Sequence, residues 1–311
     1  MVKAAWLYHV EGLTQAQIGE RMNLTRRRVN ELLAEALNSG VVRISFGTSL
    51  AENVALEARL CARFGLAEAA VTSTPQDSGL MHDVIGRVAA GLLERVIATL
   101  RPAALGVGWG STLRETVRHM SKVRSAEPDM MVCSMMGGLT RGTGINTFEI
   151  VNGFAEALGA QCQYFAAPIY ADSAASRELI AAQPVFRDLL EEAANVDVSF
   201  LSVGDTTGQS LQVRYGLPSH IDVRTIVEAG GVGDLLGYYL DRNGRPVDHP
   251  LSRQAISPDL SRYRGIPHRI IASGGPHKRE ILRAVLRAEL ATAIVTDADT
   301  ASWLLGEGQR M

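Results

Sequence analysis

Short apolar segments alternate with longer segments of helical spacing over most of the chain, and this alternation constrains the fold more than any other feature. The apolar segments read AALGVG, MMVCSMMGG, CQYFAAPIY, VDVSFLSVGD, HRIIASGG and TAIVTD. Helical stretches such as GLMHDVIGRVAAGLLERVIATL and KREILRAVLRA lie between them. Strands that alternate with helices form mostly parallel sheets with helices on both faces. The sequence therefore predicts an α/β fold with a doubly wound, mostly parallel sheet.

Length and composition are typical of a globular protein with two domains. The chain has 311 residues, of which 46% are hydrophobic and 21% are charged. The cysteines Cys61, Cys133 and Cys162 show neither metal-ligand spacing nor a disulfide framework, which suits a reducing compartment. No apolar run is long enough to span a bilayer, and the N-terminus lacks the features of a signal peptide. We therefore expect a cytoplasmic protein with no membrane partner and no bound metal.

The N-terminal region predicts a helix-turn-helix followed by a strand. Thr14 and Gln17 form a capping box at the start of the first helix, and Thr25 caps the second helix. Gly40 is placed to end that second helix, and the segment VVRISF then predicts a strand, either the wing of a winged helix-turn-helix or a link to the next domain. The apolar stripe on the second helix comprises Val29, Leu32, Leu33, Ala36 and Leu37.

Charge distinguishes this N-terminal region from the rest of the chain. Residues 1–46 carry six basic and four acidic side chains, whereas the whole chain has a net charge of −2. The pattern of apolar residues also changes near residues 47–50. We therefore expect a small basic domain over residues 1–49 and a larger domain over residues 50–311.

Three arginines stand at the start of the second predicted helix. Cations at a helix N-terminus oppose the helix dipole, so a charge run there is slightly unfavourable unless a function requires it. A DNA-reading helix uses its N-terminal residues to contact phosphates and base edges. The alternative interpretation is a solvated charge run. We expect this helix to bind DNA through Thr25, Arg26, Arg27, Arg28 and Asn30.

Polar residues and glycines gather where the predicted strands end, which is where open α/β sheets bind ligands. The segment GVGWGSTL leads into a helix whose free N–H groups and dipole favour an anion. Because Ser111 replaces the third glycine of G-x-G-x-x-G and no P-loop occurs, we expect no nucleotide cofactor. The seven histidines form no compact pattern. Other polar strand ends read GGLTRG, APIYADS, VGD, GVGD and SGGPHK.

The segment AAWLYHVEGLTQAQIGERMNLTRRRVNELLAEALNSGVV resembles the N-terminal domain of SorC-type sugar-responsive transcriptional regulators. The order of the polar strand ends over residues 50–311 is similar to the effector domain of that family, which in turn is similar to sugar-phosphate isomerases of the glucosamine-6-phosphate deaminase and ribose-5-phosphate isomerase type. One departure is Asn30-Glu31, where the family commonly carries Ser-Arg. Glu31 could accept a hydrogen bond from cytosine or repel phosphate, so the operator sequences of the family cannot be transferred to this chain.

The resemblance implies that the first polar strand end holds one end of the ligand. Gly108, Ser111 and Thr112 would bind a phosphate or terminal hydroxyls, and Gly110 would lie in contact with them. Gly138 would allow the backbone to approach the ligand closely. The alternative is that Gly108 and Gly110 only form a tight turn between a strand and a helix.

The resemblance also implies roles for charged residues at later strand ends. Asp205 and Asp234 would accept hydrogen bonds from sugar hydroxyls, and Lys278 would supply a cation. The alternatives are that the aspartates cap helices and that Lys278 is solvated. His277 is expected to be an exposed side chain.

Two functions fit these residues. The first is a regulator, expected to repress a carbohydrate or polyol catabolic operon, with double-stranded operator DNA and a sugar, polyol or sugar phosphate as partners. The second is a sugar-phosphate isomerase in which Asp205 or Asp234 moves a proton. The helix-turn-helix favours the regulator, so we expect no enzymatic activity, no cofactor and a homo-oligomer, dimeric or tetrameric.

Overall fold

The computed structural model describes residues 1–39, 41–42, 48–121, 129–139 and 146–306. It divides into two compact units, Met1–Ala51 and Glu52–Met311. The predicted helix end at Gly40 lies outside the described residues, as do residues 43–46 of the predicted strand. Val41 and Val42 form a bend.

Three helices form the first unit: α1 (Val2–His9), α2 (Gln15–Met22) and α3 (Arg26–Asn38). Helices α2 and α3 are the predicted helix-turn-helix, whereas α1 is a helix that the sequence analysis missed. All three helices contribute to one buried cluster, which comprises Ala4, Ala5, Leu7, Ile18, Val29, Leu32, Leu33 and Ala36. The predicted apolar stripe on α3 is therefore confirmed at its four positions with described side chains.

Side-chain caps, together with the close packing of the turn against Gly19 of α2, fix the turn between α2 and α3. Thr14 Oγ1 accepts from Gln17 N at 3.3 Å, and Gln17 Oε1 accepts from Thr14 N at 2.9 Å, which confirms the capping box. Thr25 Oγ1 accepts a backbone N–H three residues later at 3.2 Å and so caps α3 as predicted. A Cβ on Gly19 would lie 2.7 Å from the carbonyl oxygen of Leu24. Only glycine lets the turn approach α2 this closely.

Nine strands and ten α-helices of the described chain belong wholly or mainly to the second unit. The strands are β1 (Glu68–Thr72), β2 (Ala104–Val107), β3 (Met131–Ser134), β4 (Gln161–Gln163), β5 (Val198–Leu201), β6 (Gly233–Leu235), β7 (Tyr238–Leu240), β8 (His268–Ala272) and β9 (Ala293–Asp297). The helices are α4 (Thr48–Phe64), α5 (Met81–Leu100), α6 (Ser111–His119), α7 (Thr147–Leu158), α8 (Ala174–Ala182), α9 (Pro184–Ala194), α10 (Val223–Glu228), α11 (Leu260–Arg264), α12 (Arg279–Arg287) and α13 (Ala298–Leu304). Shorter helical turns are Ser78–Leu80, Gln212–Gly216, Pro250–Arg253 and Pro276–Lys278.

The central sheet has seven parallel strands in the order β1-β9-β8-β5-β2-β3-β4. The chain runs outward from β2 through β3 to β4, and in the opposite direction from β5 through β8 to β9. The strand order therefore reverses between β2 and β5, and open sheets of this kind bind ligands at such a reversal. The predicted doubly wound parallel fold is confirmed.

Successive residues on a strand point into two apolar cores, one on each face of the sheet. On β8, Ile270 and Ala272 pack into the core that α5, α6 and α7 cover, whereas Ile271 packs into the core covered by α4, α12 and α13. This alternation is the period of two that a strand imposes on its side chains. Among the helices that the structure describes, none combines the length and hydropathy that a bilayer crossing requires.

Two strand assignments from the sequence are wrong in detail. The segment CQYFAAPIY contributes only two of the three residues of β4, Cys162 and Gln163, before the chain leaves the sheet. The segment GVGD does not end a strand of the central sheet. It enters β6, which pairs antiparallel with β7 as a separate hairpin, with Asp234 opposite Tyr239.

Candidate functional site

A cavity of about 620 Å³ lies at the carboxyl ends of the central strands, where the strand order reverses. Its walls come from the segments that follow β2, β3, β5 and β8, together with β6, the start of α5 and the turn Gln212–Gly216. The fold therefore gathers residues that are far apart in the sequence. Six of the eight predicted ligand residues line this cavity: Gly110, Ser111, Thr112, Asp205, Asp234 and Lys278.

Gly108 and Gly138, the other two predicted ligand residues, are buried but do not belong to the cavity walls that the structure describes. A Cβ on Gly108 would lie 3.0 Å from Leu201 and 3.4 Å from Met136, so core packing accounts for this glycine. Gly138 N donates to Ala167 O at 2.9 Å in a backbone bridge beside the sheet. Ligand contact at these two glycines stays a prediction.

Helix α6 begins at the cavity wall. Gly110 precedes it with φ 130° and ψ 170°, a conformation that L side chains rarely adopt. No side chain caps this N-terminus within the described residues, and the first N–H groups of a helix have no intrahelical acceptor. The Thr112 hydroxyl lies 2.9 Å from His82 Nδ1. The backbone of Ser111 and Thr112 therefore offers donors and a partial positive charge to an anionic group.

A buried ion pair forms a second wall of the cavity. Lys278 Nζ lies 2.8 Å from Asp205 Oδ2, and both residues are buried. Asp205 Oδ1 accepts from Thr207 N at 2.7 Å and also from the Thr207 hydroxyl. Burial raises the pKa of Asp205, but the charge of Lys278 and these hydrogen bonds outweigh burial and hold that pKa below its ordinary value. Lys278 is therefore a cation that Asp205 already neutralises.

Asp234 is a second buried carboxyl group in the cavity. Its backbone pairs with Gly204, through Asp234 N to Gly204 O at 2.9 Å and Gly204 N to Asp234 O at 3.0 Å. Its Oδ2 accepts from Gly237 N at 3.2 Å, whereas Oδ1 is buried and has no hydrogen-bond partner among the described residues. Burial raises the pKa of Asp234 to about 6. An unsatisfied buried acceptor is unfavourable, so a ligand hydroxyl would stabilise this oxygen.

Two histidines line the cavity, contrary to the expectations from the sequence. His82 comes from the first turn of α5 and His277 follows β8, so the seven histidines do contain a spatial pair. His277 is only partly exposed, and its Nε2 lies 4.0 Å from Asp205 Oδ2. Burial and the charge of Lys278 lower the pKa of both histidines. No local motif joins two residues so far apart in the sequence, and this is why the pattern was missed.

Arg214 is a further cavity residue that the sequence analysis missed. It lies in the turn Gln212–Gly216, which has π-helical geometry, and such turns are frequent at functional sites. Its guanidinium lies 5.3 Å from the ring centroid of Tyr215. No carboxylate of the described chain forms an ion pair with it, so Arg214 retains a positive charge that could meet an anionic ligand. Within the same part of the chain, no three His, Cys, Asp or Glu side chains are placed to share a metal ion.

The predicted DNA-binding residues lie together at the exposed start of α3. The side chain of Arg27 is 91% exposed. Gln15, the first residue of α2, links two of the others, because Arg26 Nε donates to Gln15 Oε1 at 3.5 Å and Gln15 Nε2 donates to Asn30 Oδ1 at 3.3 Å. The Thr25 hydroxyl caps the helix from the same end. The helix-turn-helix thus presents a polar and basic surface to solvent.

Comparisons with known proteins identify the family. A model described as "Putative sugar-binding domain" matches residues 25–306, and a model of Sigma-70, region 4, matches residues 5–39. The transcriptional regulator LsrR of Escherichia coli is 30% identical over 98% of this chain and 94% of that protein. The full-length sorbitol operon regulator SorC from Klebsiella pneumoniae superimposes with a TM-score of 0.74 at 25% identity, over 98% of this chain and 97% of that one. The chain belongs to the SorC family of sugar-binding transcriptional regulators.

As a SorC-family member, the chain is a ligand-responsive transcriptional regulator with a DNA-binding helix-turn-helix and a sugar-binding domain. The erythritol catabolism regulatory protein EryD of Brucella abortus is a further relative, 28% identical over 98% of this chain and 96% of that protein. These relatives align from end to end and are named as regulators. The SorC-family sugar-binding domain contains the cavity described above.

Proposed function

We propose that this regulator represses a carbohydrate or polyol catabolic operon in the cytoplasm, and that a small polyhydroxylated effector in the cavity changes its affinity for operator DNA. The observation that carries the proposal is Asp234 Oδ1, a buried acceptor in the cavity with no partner among the described residues. A ligand hydroxyl would satisfy it. The relatives named for erythritol catabolism and for the sorbitol operon act in polyol metabolism, which supports a polyol chain as the common element of the effector.

The charges of the cavity favour an effector with one anionic end. The N-terminus of α6 and the unpaired guanidinium of Arg214 are both suited to a phosphate group. Asp205 and Asp234 would bind hydroxyls along the carbon chain, and Lys278 would hold Asp205 in place. A polyol or sugar with a single phosphate ester would interact with each of these protein groups, through its phosphate at one end and its hydroxyls along the chain.

The effector can be sought by thermal unfolding of the full chain with sugars, polyols and their phosphate esters. A specific ligand at roughly a hundred times its dissociation constant should stabilise the protein by about 2.7 kcal/mol. The same ligand should stabilise the Asp234→Ala variant much less, and it should change the affinity of the wild type for its operator. A ligand that stabilises both proteins equally would bind outside the cavity.

The second candidate function is sugar-phosphate isomerisation. The observation that favours it is again Asp234, because a carboxyl group with a pKa of about 6 is suited to general base catalysis near neutral pH. We propose instead that the cavity binds its ligand without converting it. Incubation of the protein with the bound ligand, followed by NMR, should show no new sugar. Turnover at about 1 s⁻¹ or faster would favour the enzyme.

We also propose that the regulator acts as a homo-oligomer, a dimer or a tetramer. Helix-turn-helix proteins bind two half-sites about one helical turn of DNA apart, which requires two recognition helices. Sedimentation of the full chain should show a species of at least two protomers. A monomer that occupies a single half-site would contradict this proposal.

A further inference from the structure

The recognition helix α3 carries an acidic residue, Glu31, one turn after its arginines. Glu31 Oε1 lies 3.3 Å from Arg27 Nε, and Glu31 Oε2 lies 2.9 Å from Arg28 Nη1. Glu31 lies one helical turn after both arginines, and all three side chains are exposed, away from the buried Val29. The hydrogen bonds from Arg28 and Arg27 lower the pKa of Glu31, so the carboxylate is charged at neutral pH. Glu31 therefore restrains and neutralises two of the arginines that would meet DNA.

A carboxylate on this face is unfavourable beside a DNA backbone of any sequence. Phosphate contacts supply most of the affinity for DNA without regard to sequence, and a negative charge opposes them. In the major groove, however, the N4 amino group of cytosine donates hydrogen bonds and is a partner for Glu side chains. A sequence that places a cytosine opposite Glu31 would offset its repulsion, whereas other sequences would not.

We propose that Glu31 is a specificity-determining residue of the recognition helix. In the free protein, Glu31 forms ion pairs with Arg27 and Arg28. On a matching DNA sequence, the carboxylate of Glu31 accepts a hydrogen bond from a cytosine amino group instead, and the two arginines are free to contact DNA. On other sequences Glu31 keeps its two arginines, so non-specific binding is weakened. Specificity then arises partly from a repulsive group, as in other interfaces that discriminate between partners. This inference rests on DNA binding through α3.

The neighbouring acidic residue on α3 provides a matched control. Glu35 lies one turn further along the helix, is exposed, and forms no ion pair within the described residues. The substitutions Glu31→Gln and Glu35→Gln remove the same charge from the same helix. Only the first of them frees Arg27 and Arg28. A difference between the two variants therefore isolates the contacts of Glu31 from the net charge of the domain.

The experiment selects binding sites from a random duplex DNA library with the full-length wild type and both variants. The wild-type motif should contain a cytosine at a fixed position of each half-site, and Glu31→Gln should lose that preference. Binding of Glu31→Gln to a duplex without the motif should tighten about fivefold at low salt, because two helix ion pairs no longer compete for the arginines. Its salt dependence should steepen by about one unit per released phosphate contact. Glu35→Gln should retain the wild-type motif.

Three results would overturn the proposal. If Glu31→Gln selects the wild-type motif unchanged, Glu31 does not read a base. If Glu31→Gln and Glu35→Gln tighten non-specific binding by the same factor, the effect is one of net charge alone. If the wild type enriches no motif at all, DNA reading by α3 itself is wrong. The thermal unfolding of both variants should match the wild type, since the side chains of Glu31 and Glu35 are both exposed.

Discussion

Asp234 couples the stability of the second unit to pH. Its pKa rises from an ordinary value of 3.8 to about 6 because it is buried. Between these values the unfolded chain has lost the proton and the folded chain still holds it, so the free energy of unfolding falls as pH rises. The shift of about two pKa units corresponds to roughly 3 kcal/mol, lost between about pH 4 and pH 6.

The substitution Asp234→Asn should remove this pH dependence. At about pH 4.5 both folded-state side chains are neutral, whereas near pH 7.5 only the wild type must bury a charge, so the variant should gain roughly 2 kcal/mol relative to the wild type over this interval. Urea unfolding at both pH values measures the difference. Asp248→Asn, at an exposed position, is the control and should show no such change. Equal effects of Asp234→Asn at both pH values would contradict the raised pKa.

Arg214 and Lys278 are both cations of the cavity, but only Lys278 has a carboxylate partner in the described chain. The substitution Arg214→Gln should therefore weaken binding of a phosphorylated effector by roughly tenfold to a hundredfold, and binding of its unphosphorylated parent much less. Isothermal titration with the two ligands measures this ratio. The control is Arg187→Gln on α9, which lies outside the cavity walls.

An equal loss for the two ligands would show that Arg214 does not contact the phosphate. The corresponding experiment at Lys278 is less informative. Lys278→Ala leaves the buried carboxylate of Asp205 without its partner, and breaking a buried ion pair commonly costs about 3–5 kcal/mol of stability. A change in ligand affinity in that variant would therefore mix ligand contact with local unfolding.

At the scale of elements, the start of α6 can be tested without disturbing the helix. Proline is favourable at the first position of a helix, where its missing N–H has no intrahelical partner. Ser111→Ala removes only a hydroxyl, whereas Ser111→Pro also removes a backbone donor. If an anion binds this N-terminus, Ser111→Pro should weaken the affinity for the anionic ligand by roughly tenfold more than Ser111→Ala does. The thermal stability of both variants should be nearly unchanged. Equal affinities of the two variants would place the anion elsewhere.

The elements that the sequence predicts well are those with local signals. The capping box at Thr14, the cap at Thr25 and the strand-helix alternation each depend on residues within one segment. Helix α1 was missed because no side chain caps its start, whereas α2, which has the same length, begins with a capping box. His82 and His277 line the same cavity because of the order in which distant strands are arranged in the sheet. No residue spacing within one segment predicts that strand order.

The same limit applies to Asp234. Its sequence context, GVGD, resembles the end of a strand of the parallel sheet, and the residue does line the cavity. It arrives there on the separate hairpin β6–β7, which pairs with Gly204 after β5. The residue type and its neighbouring glycines were informative about the site. The element that carries it was not predictable, because a hairpin and a short parallel strand share the same local pattern.

For the whole molecule, the proposed control of DNA affinity requires thermodynamic coupling between two binding events. If the effector lowers operator affinity by some factor, operator DNA must lower effector affinity by the same factor. Titration of the effector into the protein alone and into the protein–operator complex should yield that ratio. A duplex of scrambled sequence is the control. Identical effector affinities in the presence and absence of the operator would mean that the cavity does not control DNA binding.

The turn Gln212–Gly216 and the segment before it have a practical consequence for engineering. Gln209, Ser210, Gln212 and Arg214 all belong to the cavity wall, and they occupy one short stretch of chain. Most of the remaining wall residues lie at strand ends and helix starts of elements that pack into the two cores. A combinatorial library confined to residues 209–214 would therefore vary ligand preference without touching the recognition helix. Such a library is a direct route to genetically encoded biosensors that report new metabolites from an unchanged promoter.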